Sequence, residues 1–336
     1  MKGKTFINLT LKKQKGITLV ELMVAMVLGL ILTAGILQLF VSNKQTYRVT
    51  ENMSRLQENG RFAMHFLTQD IRMADYWGCR SQGLPIETSL NPDPNFNLPV
   101  AGLAGSNDDA NNGNSIIDGT DTITVKGVFS SNIFLISSLA NNTDDLVVTD
   151  NSGLKKDDLI LISDCSDGDI LQITNDPSTG GASGTDAVKH ITVGATASTP
   201  GNAQNSINKL YDIDAQVYKL NFATYSIRSG TNGLNALYRS VNGAAVQELV
   251  EGIEDMQILY GEDTNSDGSA NYYKTSDNVN MDDVVSVRIS LVAFTLEDNV
   301  TENANSYSIF GTTTSPTDRR IRHVFTSTTV IRNRLP

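Results

Sequence analysis

The pattern of apolar and polar positions changes character three times along the chain. From Ile17 to Val41 the only ionisable side chain is Glu21, and only Thr33 and Gln38 interrupt the apolar run from Leu22 to Phe40 with polar side chains. At a rise of about 1.5 Å per residue, about 20 apolar residues cross a bilayer core of roughly 30 Å. The run predicts a membrane-spanning helix over residues 17–41. Polar residues enter at Ser42, yet the helical period persists. Met53, Leu56, Gly60, Ala63, Leu67 and Ala74 recur at three- and four-residue steps or their multiple, and Phe62 and Phe66 widen that stripe. Lys44, Arg48, Arg55, Arg61 and Arg72 alternate with Glu51, Glu58, Asp70 and Asp75 around the remainder, and no proline occurs before Pro85. One helix from about 17 to about 76 is expected, with an amphipathic second half over residues 42–76.

After Cys79 the helical period disappears. Pro85, Pro92, Pro94 and Pro99 mark a surface loop. Short β-branched runs follow, separated by Asn, Asp, Gly and Ser: 122–125, 146–148, 159–162, 191–193, 220–227, 256–260, 284–294 and 321–331. Only Val246 to Gly252 reads as a short helical stretch. Ser106 to Asn114, Asp176 to Asp186 and Thr196 to Ser206 are low in complexity and read as exposed loops. The expected fold class is α+β: a long N-terminal helix packed on an antiparallel β-rich head, residues 77–336.

Charge sharpens this organisation. The 336 residues carry 26 Lys and Arg against 37 Asp and Glu, a net −11. Residues 1–15 hold Lys2, Lys4, Lys12, Lys13 and Lys15 and no acid. A basic flank stays cytoplasmic, so everything after Val41 is expected outside. A secretory signal cleaved at a small-residue site is the blander reading, but Ser42-Asn43-Lys44-Gln45 offers no such site. Hydrophobic content of 40% with only 19% charged residues excludes a disordered chain, and the acidity excludes a general basic field for nucleic acid. The C-terminus reverses the sign locally: Arg319, Arg320, Arg322, Arg332 and Arg334 occur with no acid after Asp318. On alternating strand positions they would meet the acidic head or a partner.

Candidate chemistry is sparse. The histidines, His65, His190 and His323, are isolated, and no P-loop, nucleophile elbow, dinucleotide fingerprint or HExxH occurs. Pairs such as Asp144-Asp145, Asp157-Asp158 and Asp282-Asp283 are adjacent, so on a strand they point apart and read as solvated turns. No enzyme and no cofactor are expected. Asp263, Asn265, Asp267 and Asn271, with Gly268, match the first half of a calcium loop. Lys274 stands where a bidentate Glu is needed, so the alternatives are a calcium site of another form and an Asx-rich hairpin turn. Cys79 and Cys165 are the only cysteines. An exported compartment permits a disulfide between them, the alternative being two buried thiols.

A carboxylate inside an apolar helix is expensive and usually functional. The context of Glu21, Lys15-Gly16-Ile17-Thr18-Leu19-Val20-Glu21, resembles the processing site of type IV prepilins: a basic leader, Gly, an apolar first residue, and Glu at the fifth position beyond it. The stretch from Asn59-Gly60-Arg61-Phe62-Ala63 to Asp70-Ile71-Arg72 and Gly78-Cys79 resembles the PilW family of minor pilins, as does the ending Arg332-Asn333-Arg334-Leu335-Pro336. The resemblance implies that prepilin peptidase cuts after Gly16, removing the leader 1–16. Ile17 then becomes the N-methylated terminus, and Glu21 neutralises a terminal amine when helices pack in a filament. Ile17 departs from the Phe common in major pilins, and Gln38 replaces a frequent proline. The implied partners are other minor pilins, the major pilin, the inner-membrane assembly platform and a tip adhesin, without nucleic acid. The implied location is the inner membrane of a Gram-negative bacterium with a periplasmic head, then the pilus surface. The alternative is a minor pseudopilin of type II secretion. A membrane-tethered periplasmic binding domain is the reading from another class, and it predicts an uncut leader and a replaceable Glu21.

Overall fold

An unbroken helical period without proline forms one element. The computed structural model describes residues 16–79, 86–92, 102–109, 115–128, 132–179, 184–189, 199–213 and 215–335. In it α1 (Leu19–Arg72) runs for 54 residues. The leader residues 1–15, the prolines 85, 94 and 99, His190 and the run 191–193 lie outside the described residues. Thr33 Oγ1 donates to the Gly29 carbonyl at 2.7 Å, so the hydroxyl in the apolar run is satisfied by its own helix. The chain divides into two units inside α1, between Asn52 and Met53. The described part of the first unit is helical from Leu19 on, and its side chains from Leu19 to Tyr47 are exposed.

The second unit carries the rest of α1 and the head. The head's strands are β1 (Ile86–Thr88), β2 (Leu103–Asp109), β3 (Thr120–Val128), β4 (Ile133–Phe134), β5 (Leu146–Thr149), β6 (Leu159–Ser163), β7 (Gly168–Gln172), β8 (Thr185–Val188) and β9 (Gln216–Ser229). There follow β10 (Asn235–Val241), β11 (Gln247–Glu251), β12 (Ile253–Glu262), β13 (Tyr272–Lys274), β14 (Val284–Phe294), β15 (Tyr307–Ile309), β16 (Thr312–Thr314) and β17 (Arg322–Val330). The larger sheet has the order β1-β7-β6-β9-β10-β11, with β3 and β4 also on β9 and β2 on β3. A second sheet has the order β13-β12-β14-β17, and β5-β8 and β15-β16 form two-stranded ribbons. Pairing is antiparallel except between β1 and β7.

Burial follows the period of each element. Leu56, Ala63, Leu67, Ile71 and Ala74 of the helix and the segment after it are buried with Met256, Ile258 and Tyr260 of β12 and Val287, Ile289 and Leu291 of β14. A second core gathers Leu146, Ile160, Ile162, Leu171 and Val217, and a third surrounds Trp77, Leu161 and Tyr218. Gly60 permits close packing: a Cβ there would lie 2.1 Å from the Phe325 ring of β17.

Several expectations are corrected. Val246 to Gly252 is not helical but holds β11, paired with β10. Its apolar spacing over seven residues suits either period, and pairing decides. Ser106 to Asp109 belongs to β2, and Thr185-Asp186 opens β8, so two stretches read as loops contribute strands. Phe62 does not widen the buried stripe. It is 51% exposed, while Ile71, outside the expected stripe, is fully buried.

Candidate functional site

The N-terminal end of α1 is built from four residues. Gly16 and Ile17 precede the helix, Ile17 is 77% exposed, and a Cβ on Gly16 would meet nothing within 4 Å. Thr18 is the cap. Its Oγ1 accepts from the Glu21 N–H at 3.2 Å, while the Thr18 N–H donates to Glu21 Oε2 at 3.0 Å. The Thr18 hydroxyl also lies 3.0 Å from the same carboxylate oxygen, to which it donates. This is a reciprocal capping box, which satisfies donors that a helix start otherwise leaves unpaired. The carboxylate therefore sits at the positive end of the helix dipole, beside Ile17. The sequence reading missed this box, although Thr-x-x-Glu before an apolar run is its signature.

The other end of the helix is tied to the head by charge. Asp70 accepts from the Tyr225 hydroxyl at 2.6 Å and from Arg239 Nη2 at 2.9 Å. Burial, with the Asp70 charge next, pushes the Tyr225 phenol far above its ordinary value, so it stays a donor. After Arg72 the chain tightens through Met73 N–H to Asp70 O and Ala74 N–H to Ile71 O. Asp75 then turns left-handed at φ 62°. Its carboxylate accepts from Trp77 Nε1 and from Arg334 Nε, both at 2.7 Å. Arg334 is 8% exposed and also donates to the Met281 and Val284 carbonyls, while Asn333 Nδ2 donates to the Ala74 carbonyl at 3.0 Å. Cys79 and Cys165 form a disulfide with Cα atoms 5.0 Å apart.

The basic C-terminus thus splits in two. Arg322 pairs with Glu254 and Asp318, Arg320 Nη1 donates to the Thr295 carbonyl, and Arg334 is locked on Asp75. Arg319 and Arg332 remain exposed.

The acidic loop 263–271 folds on itself. Asp263 accepts from the N–H groups of Asn265, Asp267 and Gly268 at 3.2, 3.3 and 2.7 Å. Burial pulls this carboxyl upward, but those donors outweigh it and hold it below the usual range. Asn265 Nδ2 donates to Asp267 at 3.0 Å, and Asn271 Oδ1 accepts from Thr264 N–H at 2.7 Å. The arrangement is an Asx-type turn whose acceptors face its own backbone. Among the described residues, no group of three or more His, Cys, Asp or Glu is gathered as metal ligands.

An apolar, exposed N-terminal helix, long enough to cross a membrane and with a capped glutamate at its start, together with a β-rich head, is the architecture of pilins. Residues 11–37 match the prokaryotic N-terminal methylation motif. Residues 224–333, from β9 through β17, match the family described as Type IV Pilus-assembly protein W. A pilin-like protein, PilA3 of Thermus thermophilus, is 34% identical over 96 residues, which cover 28% of this chain and 37% of that protein. No solved structure matches the chain. The C-terminal third of the chain is thus similar to the PilW family, and its N-terminal segment is similar to the methylation motif of pilins.

Proposed function

We propose that the protein helps initiate and assemble a type IV pilus, in a priming complex with other minor pilins near the tip. Prepilin peptidase removes residues 1–16, and Ile17 becomes the methylated terminus. Residues 17–41 first anchor the protein in the inner membrane and then pack in the filament core. Residues 42–76 and the head 77–336 lie on the periplasmic side and supply lateral specificity toward other minor pilins, the major pilin, the assembly platform and a tip adhesin. The observation that carries this reading is Glu21, a carboxylate five residues into the processed chain at the start of an otherwise apolar helix. In hydrocarbon it is tolerable only when paired. The Thr18 cap is its partner within the subunit, and the amine of Ile17 on a neighbouring subunit is its partner on assembly.

Mass spectrometry of the protein from its host tests the processing step. The expected N-terminus is methylated Ile17, and a chain still starting at Met1 overturns the reading. Recovery in sheared pili, rather than in a secretion complex, tests the assignment to the pilus.

A further inference from the structure

The outer edge of β17 is a docking site for an extended strand of another protein. We infer this from the fold alone, and it stands whether or not the chain enters a filament. β17 pairs with β14 on one side, without a register shift from Arg322 to Val330. Among the described residues, no strand is hydrogen-bonded to its other side, although β15 comes close to β17. The ladder fixes which backbone groups are open. Ile331 N–H donates to Val285 O, and Thr295 N–H donates to Ile321 O, both in the β14–β17 register. Hydrogen-bonded and open positions alternate in an antiparallel pair. The odd-numbered residues therefore bond to β14, and the N–H and C=O groups of Val324, Thr326, Thr328 and Val330 point outward.

Proteins normally blunt such an edge with short length, charge, proline or a bulge. The other outer strands show those devices. β1 and β13 have three residues each, and β11 carries Glu248 and Glu251 and pairs with β10 through a register shift. β17 has nine residues, no proline, no acid and no lysine. Its one arginine, Arg322, is bound to Glu254 and Asp318. Thr326, Thr328 and Val330 are exposed. A long, regular, uncharged open edge is the template for strand addition.

Charge selects the occupant. Exposed Arg319 and Arg332 flank the strand at its two ends. A second copy of β17 laid antiparallel on this edge would bring one copy's Arg332 beside the Arg319–Arg320 end of the other. That juxtaposition disfavours self-pairing. The fitting occupant is a strand of a different protein, uncharged and β-branched in its middle and acidic at both ends.

The test uses the full chain in detergent. The probe is a nine-residue peptide of alternating Thr and Val with two Asp at each end, beside the same peptide ending in Lys. In the free protein, the amides of Val324, Thr326 and Thr328 should exchange rapidly and those of Phe325 and Ser327 slowly. The Asp-flanked peptide should slow the even-numbered amides and bind about tenfold more tightly than the Lys-flanked one. Thr328→Pro should abolish that binding with little loss of melting temperature, because its N–H has no ladder partner and its hydroxyl meets only Arg288, in an exposed hydrogen bond, whereas Ser327→Pro should destabilise the sheet. Slow exchange of the even-numbered amides in the free monomer, peptide protection elsewhere, or preference for the Lys-flanked peptide would overturn the proposal. Self-association through this edge would overturn it in favour of a second copy. The exchange pattern of the unaltered protein decides the matter even if a proline variant fails to fold.

Discussion

Glu21 has two separable properties, shape and charge. The shape completes the Thr18 capping box, and glutamine serves there almost as well. The charge is what a terminal amine needs. Glu21→Gln should therefore insert, be processed and keep its helix, yet be depleted from sheared filaments. Thr18→Val removes the cap, at about 1 kcal/mol of helix stability, but leaves the carboxylate. It should still be incorporated, and immunoblots of sheared filaments compare the two. Depletion of both variants alike would assign Glu21 to capping only. Asp70 is a different case, because its two partners come from β9 and β10 rather than from its own helix. Asp70→Ala should cost about 1–3 kcal/mol in denaturant unfolding, since the Tyr225 hydroxyl and Arg239 then lose their acceptor. In a Tyr225→Phe background the same change should cost less.

At the scale of elements, the contact between α1 and β17 depends on one missing methyl. A Cβ at Gly60 would lie 2.1–2.6 Å from three atoms of the Phe325 ring, which packs against the main core. Alanine improves helix propensity by about 1 kcal/mol, and overpacking costs about 1–3 kcal/mol. The ring is only partly buried, so it swings aside at the cost of its contacts with that core, and Gly60→Ala should lower the melting temperature modestly. Phe325→Leu should cost less in that background than in the native chain. Much of this level was legible in the sequence. The small and apolar stripe placed Leu56, Gly60, Ala63 and Leu67 on one buried face, and β-branched runs located β3, β6, β9, β14 and β17. What was not legible follows from pairing. β2 contains Gly105, Ser106, Asn107 and Asp108, a composition that disfavours strand, yet β3 supplies a ladder for it. The fastening of Asp75 to Arg334 could not be read either, because 259 positions separate the two and charge alone names no partner.

At the scale of the whole molecule, the chain is strongly acidic once residues 1–16 are set aside. Removing residues 1–16 takes five lysines and no acid, leaving 21 basic side chains against 37 acidic, a net −16. An excess of this size favours solubility and makes the few places where acid is neutralised structurally important. One of them adjoins the disulfide, which closes a separation of 86 residues and contributes about 4–5 kcal/mol on the chain-entropy view. Cys79→Ser with Cys165→Ser should lower the denaturant midpoint accordingly. Beside Cys165, Lys209 Nζ lies 2.7 Å from Asp164 and 2.9 Å from Asp167. Burial alone would raise the Asp164 carboxyl, but Lys209, the Ser166 hydroxyl and the Asp167 and Ser166 N–H groups outweigh it. They bring it from an ordinary 3.8 to about 2. Asp318, held chiefly by Arg322, is displaced in the same direction. A carboxyl lowered on folding binds fewer protons in the folded state. Its contribution is thus complete above about pH 4 and lost as pH falls toward about 2. Protection of the amides in the turn 163–168, relative to their intrinsic exchange rates, should fall across that window while the disulfide stays closed. Asp164→Asn should remove the pH dependence and leave the turn as loose at pH 6 as the native turn is in acid. A turn whose protection factors ignore pH in the native chain would show that the Lys209 bridge does not hold it.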